Sequence, residues 1–246
     1  MSPRRAVDPA RRRYARARRL LPWLLVLLLV PAIAGALFLA TLPDVGDAEA
    51  RVAAVLRAHR GPDTGLPVPS RIGRAIVAVE DERFYGHHGV DITGLVRAMR
   101  ADLAQGAARQ GGSTITQQLA KALYVRDDHS PGAKLRMIGM ALKLERRYTK
   151  ARILEMYLNV IYFGDGQWGV ARASRAYFGK APGHLDWAEA SLLAGLPQAP
   201  SAYDPVRHFA LARARQRHVL DTLVRAGLLS APAARATYAE LATLRD

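Results

Sequence analysis

An uncharged run from Leu20 to Leu42 constrains this chain more than any other stretch. Coiled into a helix, those 23 residues reach about 35 Å, enough for a hydrocarbon core of about 30 Å. Pro22 and Pro31 lie inside it, and membrane helices tolerate such prolines better than soluble ones. Immediately before it, residues 1–19 hold eight arginines against the single Asp8. The positive-inside bias therefore sets the N-terminus in the cytoplasm and the body of the chain outside. The arginines then serve topology and need no nucleic acid; the plainer alternative is a solvated charge run. Ala34-Gly35-Ala36 offers a small-residue cleavage site, but the apolar run exceeds the ~7–15 residues of a signal peptide. A retained anchor at 20–42 behind a basic tail at 1–19 is expected.

Residues 43–70 have the composition of a stalk, with Pro43, Pro62, Pro67, Pro69, Gly61, Gly65 and a short helical patch at 48–58. The globular body is expected over 71–229 and a last helix over 230–246. Alanine, leucine and arginine are prominent and β-branched residues scarce, which favours helices. Half of the residues are hydrophobic, enough for a packed core. No strand pattern of convincing length and no repeat occurs, so a mainly α fold is expected. With no cysteine there is no disulfide framework and no thiolate chemistry. The formal charge of +15 suits anionic lipid or a phosphorylated substrate. No basic–aromatic groove pattern marks a nucleic-acid binder.

Two blocks of the body carry candidate chemistry. In the first, the apolar run Ala75–Val79 ends abruptly in Glu80 and Asp81, followed by Phe84, Tyr85, His87, His88 and Gly89. A carboxylate at the end of a buried segment loses water, and its pKa rises toward a range useful for proton transfer. The plainer alternative is the wet end of a helix. In the second, Gly111–Lys121, Ser113 or Thr114 can cap a helix whose first turn is polar. Free N–H groups, hydroxyls and Lys121 suit an anion. It lacks the spacing of a nucleotide-binding loop, and an ordinary capped helix is the plainer alternative. Arg97, off the apolar stripe Ile92–Leu95–Val96–Met99–Leu103, is either solvated or turned back toward Glu80.

Taken in order, Glu80-Asp81…Phe84…His88-Gly89, then Gly112-Ser113-Thr114-Ile115-Thr116-Gln117-Gln118, then Lys134, then Ile153-Leu154-Glu155-Met156-Tyr157-Leu158-Asn159, the chain resembles the peptidoglycan glycosyltransferases (glycosyltransferase family 51). The resemblance spans about 71–229. It implies a lysozyme-like helical domain with a smaller membrane-associated part. It also implies polymerisation of lipid II into glycan strands, with inversion and release of undecaprenyl pyrophosphate. By that resemblance Glu80 is the catalytic base, and Arg97, Ser113, Thr114, Gln117, Gln118, Lys121 and Lys134 bind substrate. Asp81, Phe84 and His88 shape the loop that holds Glu80. The implied partners are lipid II, lipid-linked glycan, the bacterial cytoplasmic membrane and other cell-wall synthesis proteins, with the catalytic domain on the outer face.

One position departs from that family. A second glutamate in an Arg-Lys-x-x-Glu block assists the leaving group there, directly or through a divalent ion such as magnesium or manganese. Met137 stands at its place, with Ala133 and Lys134 at the basic pair. No metal ligand is therefore assigned, and a divalent cation is the only candidate cofactor. Glu145 is a candidate substitute for the missing carboxylate. The residues after Leu229 are too few for a transpeptidase and no Ser-x-x-Lys occurs, so the likeness is to monofunctional members. A glycan-cleaving enzyme using Glu80 as general acid, or a cell-wall scaffold without catalysis, are the alternatives.

Overall fold

The computed structural model describes residues 9–62, 70–97, 112–125, 128 and 130–241. The chain divides into two compact units, Met1–Pro43 and Asp44–Asp246. The first is built on one helix, α1 (Pro9–Thr41), which begins within the basic tail rather than at Leu20. Val26, Leu27, Leu28, Leu29 and Ile33 on it are all exposed. Among the described residues no helix is long and apolar enough to cross a membrane.

Apart from an isolated bridge between Tyr162 and Trp168, the regular secondary structure of the second unit's described residues is helical. It opens with α2 (Ala48–Ala58), whose Ala48, Val52 and Leu56 are buried. The segment expected as a stalk therefore contributes a packed helix to the body, because its three apolar side chains recur on one face. Next come α3 (Arg71–Glu80), α4 (Ile115–Ala120), α5 (Ala133–Arg147) and α6 (Lys150–Val160). They are followed by α7 (Val170–Phe178), α8 (Trp187–Gly195), α9 (Phe209–Arg225) and α10 (Ala231–Glu240). Residues 92–97 add a helical turn after Asp91. Met99, Leu103 and the rest of that apolar stripe lie outside the described residues.

Local sequence sets most of these ends. Ser70 caps α3 by accepting from the Gly73 N–H at 3.1 Å, and Thr114 and Thr149 cap α4 and α6 in the same way. Asp186 and Glu189 form a reciprocal capping box at α8. The core then assembles around α8, which is buried on nearly every side and packs against α3 and α9. A second cluster joins α4 to α5 and α6, and α2 lies on α6. Ile72, Ile76, Ile115, Leu119, Leu144, Ile153 and Leu158 have no accessible surface. Each such side chain contributes about 1.5–3 kcal/mol through burial.

α3 and α4 thus bring Glu80, the last residue of one helix, beside Gln118 on the first turns of the other. Between α6 and α7 the chain reverses through Gly164-Asp165-Gly166 and enters α7 at Gly169 with φ +80°. A Cβ there would stand 2.6 Å from the Asn159 carbonyl oxygen. Replacement of Gly169 by alanine is expected to lower stability in urea denaturation by about 2 kcal/mol or more. The same change at Gly183, where a Cβ meets open space, should stay within about 0.5 kcal/mol.

Candidate active site

Helix α3 stops at Glu80 because Asp81 leaves helical geometry (φ −159°) and turns its carboxylate inward. That carboxylate accepts from the Ile115 backbone N–H at 3.0 Å, one of the free donors at the start of α4. It also accepts from His87 Nε2–H at 2.9 and 3.0 Å. Both side chains are buried. Burial raises the Asp81 pKa, and the bonds from His87 and Ile115 hold it back.

Phe84 is wholly buried, with the Lys150 ammonium 4.3 Å from its ring centre. Gly89, at φ +88°, lets the loop run against the Ala141 backbone of α5, and Thr114 Oγ1–H donates to its carbonyl at 2.8 Å. Asp81 and Phe84 are both buried in this loop, whereas His88 is exposed and the buried histidine is its neighbour His87. Of the two adjacent histidines, it is His87 whose ring reaches back six residues to Asp81; its Nδ1 finds no partner among the described residues.

Glu80 is half-buried at the edge of this arrangement. Its Oε2 accepts from Gln118 Nε2–H at 2.8 Å. Gln118 Oε1 in turn accepts from the Tyr157 hydroxyl at 3.0 Å, which fixes the amide so that its donor faces the carboxylate. Burial raises the Glu80 pKa; the Gln118 bond and the Arg215 charge pull it down in part, and the Asp81 charge adds to the rise. Burial, with Glu80 and Asp81 nearby, holds the Tyr157 hydroxyl well above its ordinary pKa, so it stays a donor.

Three cavities meet around this point. One, of about 380 Å3, runs past Glu80, Glu82, Arg97, Ser113 and Arg225. A second of about 380 Å3 joins Glu80 and Gln118 to Gln198 and Arg215. The third, of about 430 Å3, lies beyond Gln118 and holds Ser113, Lys121, Met137 and Trp168. α4 widens into a π-helical turn over Lys121–Val125, a distortion that often marks functional positions.

The expected substrate residues divide accordingly. Ser113, Gln118 and Lys121 line the third cavity, and Lys134 joins them by donating to Ser113 Oγ at 3.1 Å. Thr114 spends its hydroxyl on the helix cap and on Gly89. Gln117 is buried, and its Oε1 finds no partner among the described residues. Arg97 lies 3.5 Å from Glu82, both exposed, rather than on Glu80. Glu145 is engaged by Thr116 and Lys150 and is not a spare carboxylate.

Three residues that the sequence did not single out belong here: His87, Tyr157 and Arg215. Tyr157 lies within the Leu154–Asn159 block already noted. Arg215 was indistinguishable from the other arginines of its basic helix.

The helical body thus presents the half-buried Glu80 carboxylate among cavities edged by lysine and arginine. The transglycosylase family profile matches residues 54–224, and the chain belongs to that family. It is 39% identical over 216 residues to a Cupriavidus necator protein that carries the transglycosylase name, covering 87% of this chain and 93% of that one. It is 40% identical over 180 residues to penicillin-binding protein 1F of Bacillus subtilis, covering 73% of this chain and 25% of that one. To penicillin-binding protein 1A of Neisseria flavescens it is 41% identical over 162 residues, 66% of this chain and 20% of that one. The chain thus spans a quarter or less of the penicillin-binding proteins and nearly all of the Cupriavidus protein.

His87→Ala is expected to lower stability by about 1–3 kcal/mol, since it strands a buried carboxylate. His88→Ala should change it by less than about 0.5 kcal/mol. Thermal denaturation followed by circular dichroism distinguishes the two.

Proposed function

We propose that this chain polymerises lipid II into peptidoglycan glycan strands, with Glu80 as general base. The observation that carries this reading is the Glu80 carboxylate, half-dry, facing two cavities and bonded to Gln118, which lines a third. The 4-hydroxyl of the acceptor's terminal N-acetylglucosamine gives its proton to Glu80. Its oxygen forms a bond to the donor's anomeric carbon, on the face opposite the leaving group. The bond from that carbon to the pyrophosphate oxygen breaks, the electron pair leaves with undecaprenyl pyrophosphate, and the centre inverts. A sugar hydroxyl is a weak nucleophile, so base assistance of this kind contributes about 10²–10⁴-fold.

In this reading the leaving pyrophosphate lies on the Lys121 and Lys134 side, where fixed positive charge stabilises what develops. Arg215 draws the Glu80 pKa part of the way back down and so favours its ionised form. The family's lysozyme-like arrangement is the fold we assign to the helical body.

The same reading anchors the chain in the bacterial cytoplasmic membrane by 20–42, N-terminus inside and catalytic domain outside. Support comes from the charge-free run, the arginines before it and the outward-facing leucines of α1. Ile92, Leu95 and Val96, exposed beside the cleft, suit the part that meets lipid. Other cell-wall synthesis proteins are the partners such a location would supply.

Glu80→Gln is expected to reduce polymer formation from lipid II by about 10²–10⁴-fold, read by gel separation of labelled glycan. Equal rates in variant and parent would remove the base assignment, and shortening of preformed glycan would favour cleavage instead. The base must be ionised, and its pKa is raised. The acidic limb of kcat/KM should therefore fall above the ordinary carboxylate value of 4.5. Gln118→Ala removes a bond to the ionised form, so it should move that limb to higher pH.

A further inference from the structure

There is no carboxylate among the described residues that line the third cavity. Met137 lines it together with Ser113, Gln118 and Lys121, and its remaining wall is apolar or aromatic, including Val55, Val160, Tyr162 and Trp168. Magnesium and manganese ions are held by hard oxygen donors, above all carboxylates. Here the oxygen donors are the Ser113, Tyr157 and Tyr162 hydroxyls and the Gln118 amide, none of them anionic, beside a soft thioether and an ammonium that repels a cation. The Gln118 amide oxygen is already occupied by the Tyr157 hydroxyl. Glu145, the carboxylate borne two turns beyond Met137 on α5, is closed off by Thr116 and Lys150. Among the described residues no cluster of histidine, aspartate and glutamate is placed to hold an ion. The divalent cation that the family resemblance implies does not fit this cavity.

What the cavity does offer is charge on lysine. Lys121 lies one turn beyond Gln118 on the same face of the helix. Lys134 lies one turn before Met137 on α5 and reaches Ser113 Oγ at 3.1 Å. Two ammonium groups thus flank a mouth whose interior is a methionine, the rings of Tyr157, Tyr162 and Trp168, and aliphatic side chains. That pattern matches an amphiphilic anion with its phosphates at the lysines and its hydrocarbon against Met137 and Trp168. We propose that this cavity holds a prenyl pyrophosphate on lysine charge alone, with no divalent cation, and that methionine at 137 is what makes it so. The proposal rests on the polymerase reading above for the identity of the leaving group, but the binding itself is separable from turnover.

The test is titration calorimetry of the full chain in detergent micelles with farnesyl pyrophosphate, in chelator and then in magnesium or manganese. Affinity should be retained in chelator and gain less than about twofold from either ion. Lys121→Ala should weaken it about tenfold or more by removing a charge-assisted contact. Met137→Glu sets a carboxylate beside Lys121, so its affinity should fall in chelator and recover with magnesium. Met137→Gln, similar in size and uncharged, should show no such response.

A parent chain that binds only with metal, or about tenfold tighter with it, overturns the proposal. So does Lys121→Ala with unchanged affinity, or Met137→Glu indifferent to magnesium while Met137→Gln binds as the parent does. Metal-independent binding without polymer formation from lipid II would sink the polymerase reading and leave this one standing. Polymer formed only when a divalent ion is present would do the reverse.

Discussion

The buried carboxylate of Asp81 is the joint between the two halves of the catalytic body. It ties the end of α3 to the first N–H of α4 and draws His87 in behind it. A charge so placed is costly unless it is fully bonded, and here each oxygen has a donor. Because that requirement fixes both helix ends, Glu80 and Gln118 have little choice but to meet. The same charge, held close to Glu80, helps to raise its pKa. Scaffold and reactivity thus share one residue, so a change at Asp81 alters both together.

Around this joint the molecule separates its cations by task. Lys150 is withdrawn into the structure, bonded to Glu145 and set over the Phe84 ring, and neutralises charge behind the loop. Arg215 approaches Glu80 from α9 across the second cavity. Lys121 and Lys134 stand at the mouth of the third, exposed and on different helices. A buried lysine of the first kind is structural, whereas exposed lysines converging on an apolar chamber are free to receive a ligand. Tyr157 joins the regions, lining the third cavity while fixing the Gln118 amide that faces Glu80.

A helical body was legible from composition, and one helix start from its capping chemistry: of the two hydroxyls the sequence offered, Thr114 is the one that accepts the Gln117 N–H at the start of α4. Glu80, Gln118 and Lys121 were legible because their blocks carry hydroxyls, amides and charge in an order that ordinary surface helices do not need. The missing carboxylate at Met137 was legible as well, since it is a matter of counting along one helix. The packing of α2 into the body was not. Prolines around it resemble a linker, and only contact with α6 shows that its small apolar face is used.

Chemical type and local spacing, which set helix starts, a charge-free span and a set of candidate groups, were determined by the sequence alone. Tertiary structure decided between His87 and His88, turned Arg97 to Glu82, consumed Glu145, and brought Arg215 and Tyr157 to the site. Each of those outcomes depends on distances between segments far apart in the chain. Side-chain partnership is set by which faces the packed helices present to one another, and linear order carries no measure of that.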